Sequence, residues 1–283
     1  MPEIFFLNGE YVQSDQARIP VEDRGYIFGD GIYEVVRVYP KTGPFLMKEH
    51  MERLAFSAKG IRLELPMSLE KIEEACLETM RRNEVTDGTI YLQITRGVAP
   101  RTHAFPLNAK PSILIFSRPY KGNLVELRAK GTSAITTTDD RWLHCNWKTL
   151  NLIPNCLAKQ AAKEAGAFEA IFIRPDGTVT EGSSSNCFVI TGGVIITHPA
   201  DNYILRGISR DFVMKLAQER GLKVKEEKYP EEVLRTADEI FMTGTTTEVM
   251  PIIQLDGKPV GNGKIGPVTK TLMTAFDEAI GRK

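Results

Sequence analysis

The sequence predicts a mixed α/β protein of two domains, residues 1–120 and 121–283, with a cleft between them. Three observations lead there. Strand-like and helix-like periodicities are mixed within each half instead of being segregated. At 283 residues the chain is long for one core and suits two moderate ones. The polar stretch Tyr120-Lys121-Gly122-Asn123, just after Pro119, separates one run of elements from the next.

In chain order, Ile4 to Phe6 and Tyr11-Val12 flank an Asn8-Gly9 turn and read as a hairpin. Gly31 to Tyr39 is rich in β-branched and aromatic residues and reads as a strand. Met47, Met51, Leu54, Ala55 and Ala58 follow the helical period, and Gly60 ends that helix. Ser68 caps a second helix with Leu69, Ile72, Ala75, Cys76 and Met80 on one face. Ile90, Leu92 and Ile94 alternate as a strand, and Ile113 to Phe116 is a continuous apolar one. In the second half, strands are expected at Ala134–Thr137, Ala170–Ile173, Asn186–Ile190, Val194–Ile196, Ile240–Thr243 and Ile252–Leu255. Helices are expected over 155–165, closed by Gly166, over 209–220, closed by Gly221, and from Pro267 onward.

Lys plus Arg and Asp plus Glu both number 36, so the formal net charge is zero and the basic excess of a nucleic-acid binder is missing. The four cysteines show no CxxC spacing and read as free thiols in a reducing compartment. No metal site is expected. The segment Met1-Pro2-Glu3-Ile4-Phe5-Phe6 lacks a basic, then apolar, targeting pattern, and no apolar run reaches membrane-spanning length. A cytoplasmic protein with no membrane partner is expected.

Lys148 stands among Trp142, Leu143, Trp147, Leu150, Leu152 and Ile153, neighbours that would desolvate an amine and favour its free, nucleophilic form. Most lysines are solvated surface charges, so this apolar setting is what singles it out. Downstream, Thr180-Glu181-Gly182-Ser183-Ser184-Ser185-Asn186 places one carboxylate at a strand end ahead of three hydroxyls. Glu181 would by default serve as a turn acceptor. A lysine able to form a Schiff base and a carboxylate able to hold a pyridinium nitrogen are together the two protein groups that pyridoxal 5'-phosphate chemistry needs. Ser184 and its neighbours would then help fix ring and phosphate. For the phosphate, Leu205-Arg206-Gly207-Ile208-Ser209 leads into a helix whose first amides face an anion, and Gly244-Thr245-Thr246-Thr247 is a second loop of hydroxyls. Arg53, off the apolar face of its helix, is either a charge partner for that phosphate or a solvent-facing arginine. Arg101 and His103, two residues apart in a loop, can converge on one carboxylate, although an ordinary polar surface loop has the same pattern.

These residues resemble the class IV aminotransferases, and the likeness runs through Asp23-Arg24-Gly25-Tyr26, His50-Met51-Glu52-Arg53-Leu54, the Lys148 and Glu181 segments, Thr197-His198-Pro199-Ala200, Leu205-Arg206-Gly207-Ile208-Ser209-Arg210 and Thr245-Thr246-Thr247-Glu248. Within the family, Tyr33-Glu34-Val35-Val36 and the Arg101-Thr102-His103 loop look like the D-amino acid subgroup. The resemblance implies the two-domain fold of that family, with Lys148 as the Schiff-base lysine, Glu181 on the ring nitrogen and Leu205 against the ring. Arg53, Ile208, Ser209 and Thr245 would hold the phosphate. Tyr33, Arg101 and His103 would trap the substrate carboxylate, the last two reaching in from the partner of a homodimer, with Val35 and Arg37 towards the substrate side chain. Substrates would be amino acids and 2-oxo acids. Branched-chain L-amino acid transamination and an aminodeoxychorismate-type lyase are the alternatives on the same scaffold. Gly244 stands where a hydroxyl residue is often found, and Arg37 where a lysine is common.

Overall fold

In the computed structural model, residues 3–282 are described; Met1 and Pro2, which open the stretch read for a targeting pattern, lie outside them. The chain divides into two compact units. The first runs to Lys121 and also takes in Trp147–Asn151; the second is built from Gly122–Asn146 and from Leu152 onward.

The first unit contains β1 (Ile4–Leu7), β2 (Glu10–Gln13), α1 (Arg24–Phe28), β3 (Gly31–Tyr39), β4 (Gly43–Pro44), α2 (Met47–Gly60), α3 (Leu69–Arg82), β5 (Gly88–Thr95) and β6 (Ser112–Pro119). Among the described residues its six strands pair in the order β2-β1-β6-β5-β3-β4, antiparallel throughout. Period two decides the layering. Ile32, Val36, Ile90, Leu92, Ile94, Ile113 and Ile115 turn inward against Met51, Leu54, Ile72 and Cys76 of α2 and α3.

The sequence-based boundary after residue 120 placed Lys148 in the second domain. In the structure its segment belongs to the first unit: Tyr33 N donates to Lys148 O at 3.1 Å, Leu150 N to Gly31 O at 3.1 Å, and Ile32 and Thr149 form a bridge. Gly60 shows why the fit is close. A Cβ there would lie 2.4 Å from the Trp147 indole, so the residue read as a helix stop is needed because an aromatic ring leans on the backbone.

The second unit contains α4 (Leu124–Lys130), β7 (Thr132–Thr138), α5 (Ile153–Glu164), β8 (Glu169–Ile173), β9 (Val179–Gly182), β10 (Asn186–Thr191), β11 (Val194–Thr197), α6 (Ile208–Glu219), β12 (Lys223–Glu226), α7 (Glu231–Arg235), β13 (Glu239–Gly244), β14 (Glu248–Leu255), β15 (Lys258–Pro259) and α8 (Pro267–Ala279). Its strands follow the order β12-β11-β10-β13-β14-β7-β8-β9, with β15 on β14. One further pairing, Asn186 on Glu181, joins β10 back to β9. Six strands, β10, β13, β14, β7, β8 and β9, therefore close into a ring, and the residues that close it are those expected to carry chemistry.

Helix α4 occupies the stretch just after the expected linker, and α5 begins at Ile153, with Pro154 in its first turn. The cysteines are free, Cys76 and Cys187 buried. Among the described residues no helix is long and apolar enough to cross a membrane.

Candidate active site

Lys148 is half-buried, and its Nζ lies 4.1 Å from the centroid of the Tyr33 ring. Its backbone N donates to Ser57 Oγ of α2 at 3.0 Å. Of the apolar sequence neighbours expected to enclose it, Trp147, Leu150 and Leu152 are half-buried and the other three are exposed. Trp142, Leu143 and Ile153 are 44%, 52% and 71% exposed. They belong to the second unit, where Cys145 N is tied to Asn202 O, while 147–151 turns back onto β3. The ring face of Tyr33, a β3 side chain, is what Lys148 meets.

Arg53 is buried, which corrects the solvent-facing alternative. Its Nε and Nη2 donate to the two oxygens of Glu34 at 2.8 and 2.9 Å, and His50 Nδ1 lies 2.7 Å from Glu34 Oε2. Glu34 is fully buried, on the β3 face packed against α2. Burial by itself would raise its carboxyl, but the Arg53 charge and bonds, with His50, outweigh this and hold it far below the usual carboxylate range. On the opposite face of β3 stand Tyr33, Val35 and Arg37, in register with Gln93, Tyr91 and Thr89 of β5. Arg37 is buried, bonded to Gly88 O at 2.7 Å and Asp87 at 2.6 Å, with Tyr39 and Tyr120 on its guanidinium.

Arg101 and His103 are exposed and gather at one ring: the Arg101 guanidinium is 5.2 Å and the His103 ring 5.5 Å from the centroid of Phe28. Arg24 fixes the root of their loop, donating to Thr102 O at 2.7 Å and to Asp30 at 2.8 Å, where Arg96 also pairs. Tyr33 keeps other company, stacked on Tyr91 at 6.0 Å.

In the second unit Glu181 is buried and accepts three bonds: Arg141 Nη1 at 2.7 Å on Oε1, and Asn186 Nδ2 and Leu205 N, both at 3.0 Å, on Oε2. Burial pushes its carboxyl up to about 7, against the pull of Arg141 and the Leu205 amide. The serines beside it are organised by Glu169 at the start of β8. That buried carboxylate takes the hydroxyls of Ser183, Ser184 at 3.3 Å and Ser185 at 2.7 Å. Asn186 also donates to Leu205 O at 2.8 Å, which seats the turn into α6 against the ring closure. A Cβ on Gly207 would meet Asn186 Oδ1 at 2.0 Å, so only glycine lets the start of α6 come this close. Gly207 offers no side-chain cap, so the first-turn amides of Ile208 and Ser209 keep their donor capacity for another acceptor. A Cβ built on Gly244 would lie 3.4 Å from Ser184 O, so the loop that leads to Thr245 runs close beside the serines. The second unit thus gathers Glu181, Ser184, Leu205, Ile208, Ser209 and Thr245. Sequence reasoning missed Glu34, Glu169 and Arg141. The only signal for them was a carboxylate inside an apolar strand pattern in the first two cases, and Asp139-x-Arg141 after a strand in the third.

The family model described as Amino-transferase class IV matches residues 31–255. This chain belongs to the class IV aminotransferases. It is 45% identical over 279 residues to a protein named D-alanine aminotransferase from Staphylococcus aureus, with 98% of each chain covered. It is 43% identical over 273 residues to one of the same name from Bacillus licheniformis, covering 96% of this chain and 95% of that one. Among solved structures it superposes on a branched-chain amino acid aminotransferase of Escherichia coli with a TM-score of 0.93, at 31% identity over 100% of this chain and 96% of that one. A second branched-chain amino acid aminotransferase, solved with pyridoxamine 5'-phosphate, gives a TM-score of 0.92 at 33% identity, again over 100% and 96%.

The class IV residues suit a phosphorylated pyridine. A carboxylate offers about four acceptor positions. Glu181 has three filled, leaving room for one more donor such as a ring N–H. The uncapped helix start beside Gly207 suits a phosphate dianion.

Proposed function

We propose that this chain is a pyridoxal 5'-phosphate-dependent transaminase that moves the amino group of D-amino acids, D-alanine and D-glutamate among them, to 2-oxo acids. What carries the reading is the 43–45% identity, over nearly the full length of both chains, to proteins named D-alanine aminotransferase. The two branched-chain aminotransferases compared above, which share the fold, reach only 31% and 33%.

When bound, the cofactor supplies an electron-withdrawing ring that makes the hydrogen on the substrate Cα acidic. The protein's residues do the rest. Lys148 is the anchoring amine and then moves the proton at Cα. Glu181 holds the proton on the ring nitrogen. Arg53, Thr245 and the amides of Ile208 and Ser209 hold the phosphate, with Ser184 nearby and Leu205 against the ring. Tyr33 meets the substrate carboxylate together with the partner subunit's Arg101 and the partner subunit's His103, in a homodimer. Val35 and Arg37 face the substrate side chain. The exposed setting of this chain's own Arg101 and His103, a few residues before 98%-exposed Leu107, suits an intersubunit role. The substrates are small polar metabolites, and the expected compartment is the cytoplasm.

Transamination of D-alanine against L-leucine and L-alanine, with 2-oxoglutarate as acceptor, tests the reading. Faster turnover of L-leucine than of any D-amino acid overturns the stereochemical assignment and leaves membership of the family intact. Two variants test the roles. Glu181→Gln retains shape but loses the charge that favours a protonated ring nitrogen, so turnover should fall far more than cofactor content, measured by absorbance after desalting. Equal falls would make Glu181 a structural anchor. Arg101→Ala removes a charge-assisted bond worth about 1.5–3 kcal/mol, so KM for D-alanine should rise roughly 10- to 150-fold with cofactor content preserved. An unchanged KM removes Arg101 from carboxylate recognition.

A further inference from the structure

We propose that Arg141, gripped by Asp139, is a positioning residue that favours the ionised form of Glu181 and so biases where the proton shared with the cofactor's ring nitrogen resides. The inference rests on the reading of Glu181 given above, and it concerns only groups of the second unit.

The geometry is specific. Arg141 is 6% exposed and spends its guanidinium on two carboxylates. Nε and Nη2 pair with the two oxygens of Asp139, each at 2.9 Å, while Nη1 reaches Glu181 Oε1 at 2.7 Å. The backbone N of Arg141 also donates to Asp139, at 3.2 Å. The plane of the guanidinium lies over Phe172, 4.1 Å from the ring centroid. Asp139 is itself anchored: its N donates to Ile173 O at 2.7 Å, and Thr180, the residue before Glu181, donates its hydroxyl to Asp139 at 2.7 Å. The bond from Arg141 to Glu181 therefore has a fixed length and direction.

The charges around Glu181 give this arm a chemical consequence. Arg141 attracts it, Asp139 repels it from behind Arg141, and the Cys145 thiol stands in the same field. Arg174, 3.8 Å from Asp139, adds a second cation farther out. Leu205 N and Asn186 donate but carry no charge. Arg141 is thus the only cation bonded to Glu181 among the described residues. A carboxylate and a pyridine nitrogen that share one proton have two arrangements: the ion pair, or the neutral acid facing neutral nitrogen. A cation fixed on the far oxygen stabilises the carboxylate and so favours the ion pair, with the proton on nitrogen. Without Arg141, a buried Glu181 becomes the stronger base and takes the proton back.

The apo-protein carries the first test. Infrared difference spectra with isotope-labelled glutamate, referenced to Glu181→Gln, give the midpoint at which Glu181 loses its proton. In Arg141→Met that midpoint should rise by at least about one pH unit, a tenfold change in proton affinity. Arg141→Lys should recover most of the shift, because it restores the charge. Asp139→Asn, which removes the competing anion and keeps Arg141, should move the midpoint down, and it decides the matter if Arg141→Met does not fold. A midpoint that stays put or falls in Arg141→Met, or stays put or rises in Asp139→Asn, overturns the proposal. In the holoenzyme, nitrogen NMR of ring-labelled cofactor should show the ring losing its proton at lower pH in Arg141→Met than in wild type; an unchanged ring titration also overturns it. Should Glu181→Gln leave the ring signal unaltered, it is the Glu181 reading that fails, and the apo-protein midpoints still decide what Arg141 does to Glu181.

Discussion

Lys148→Ala is expected to abolish transamination and leave the fold standing. The main chain at this position is held by groups the substitution does not touch: Ser57 Oγ on its N–H, Tyr33 N on its carbonyl, and the Ile32–Thr149 bridge beside it. What disappears is the amine over the Tyr33 ring. Proton transfer by a positioned amine is worth roughly 10²–10⁴-fold, and loss of the covalent anchor adds to that. Single-turnover kinetics with D-alanine should therefore show turnover reduced by at least about that factor. Thermal unfolding should remain close to wild type, and some cofactor should still bind without a covalent link. Near wild-type turnover in the variant would remove Lys148 from the mechanism.

Arg53→Leu should strongly destabilise the first unit. Glu34 is 0% exposed and takes two charge-assisted bonds from Arg53. Stripping one partner from a buried pair costs about 3–5 kcal/mol, since the remaining charge is left in a dry interior. At about 2–4 °C per kcal/mol for a domain of 150–250 residues, with larger shifts in smaller ones, Tm should drop by roughly 6–20 °C. The sign of the pH dependence follows from the depressed Glu34 carboxyl. Its contribution is complete above the unfolded value near 4.5 and is lost as pH falls through the lower folded value. In the variant the carboxyl has lost its main counter-charge, and protonating it relieves the burial cost. The stability gap between variant and wild type should accordingly be wide at pH 8 and narrow as pH drops towards 4.5. The double variant Arg53→Leu, Glu34→Leu should recover much of the loss, because no unpaired charge remains. Calorimetry at two pH values checks this. A gap independent of pH would mean that Arg53 stabilises by packing alone.

The long elements were legible in the sequence because their periods repeat. The period of α2 and α3 and the β-branched run of β3 are local properties, and the structure keeps them. The short elements α1, α4 and α7, of five, seven and five residues, went unread because fewer than two turns carry no period to read.

Buried charges were illegible for a different reason. An apolar stripe reports which face turns inward, so an arginine off the stripe reads as solvent-facing, and Arg53 is not. Its partner is 19 residues away on a strand, and the partner of Glu181 is 40 residues away. Such pairs are set by which strands lie side by side, and no local spacing encodes that. The same holds for the home of Lys148. Chain order assigns it to the second half, but hydrogen bonds to β3 and the ring of Trp147 on Gly60 bring it to the first unit. By itself the sequence determined the chemical groups, the periodic elements and the family. The tertiary structure alone decided which charges are dry, which partners they keep, and therefore how strongly each holds its proton, because desolvation and ion pairing depend on neighbours that only folding brings within reach.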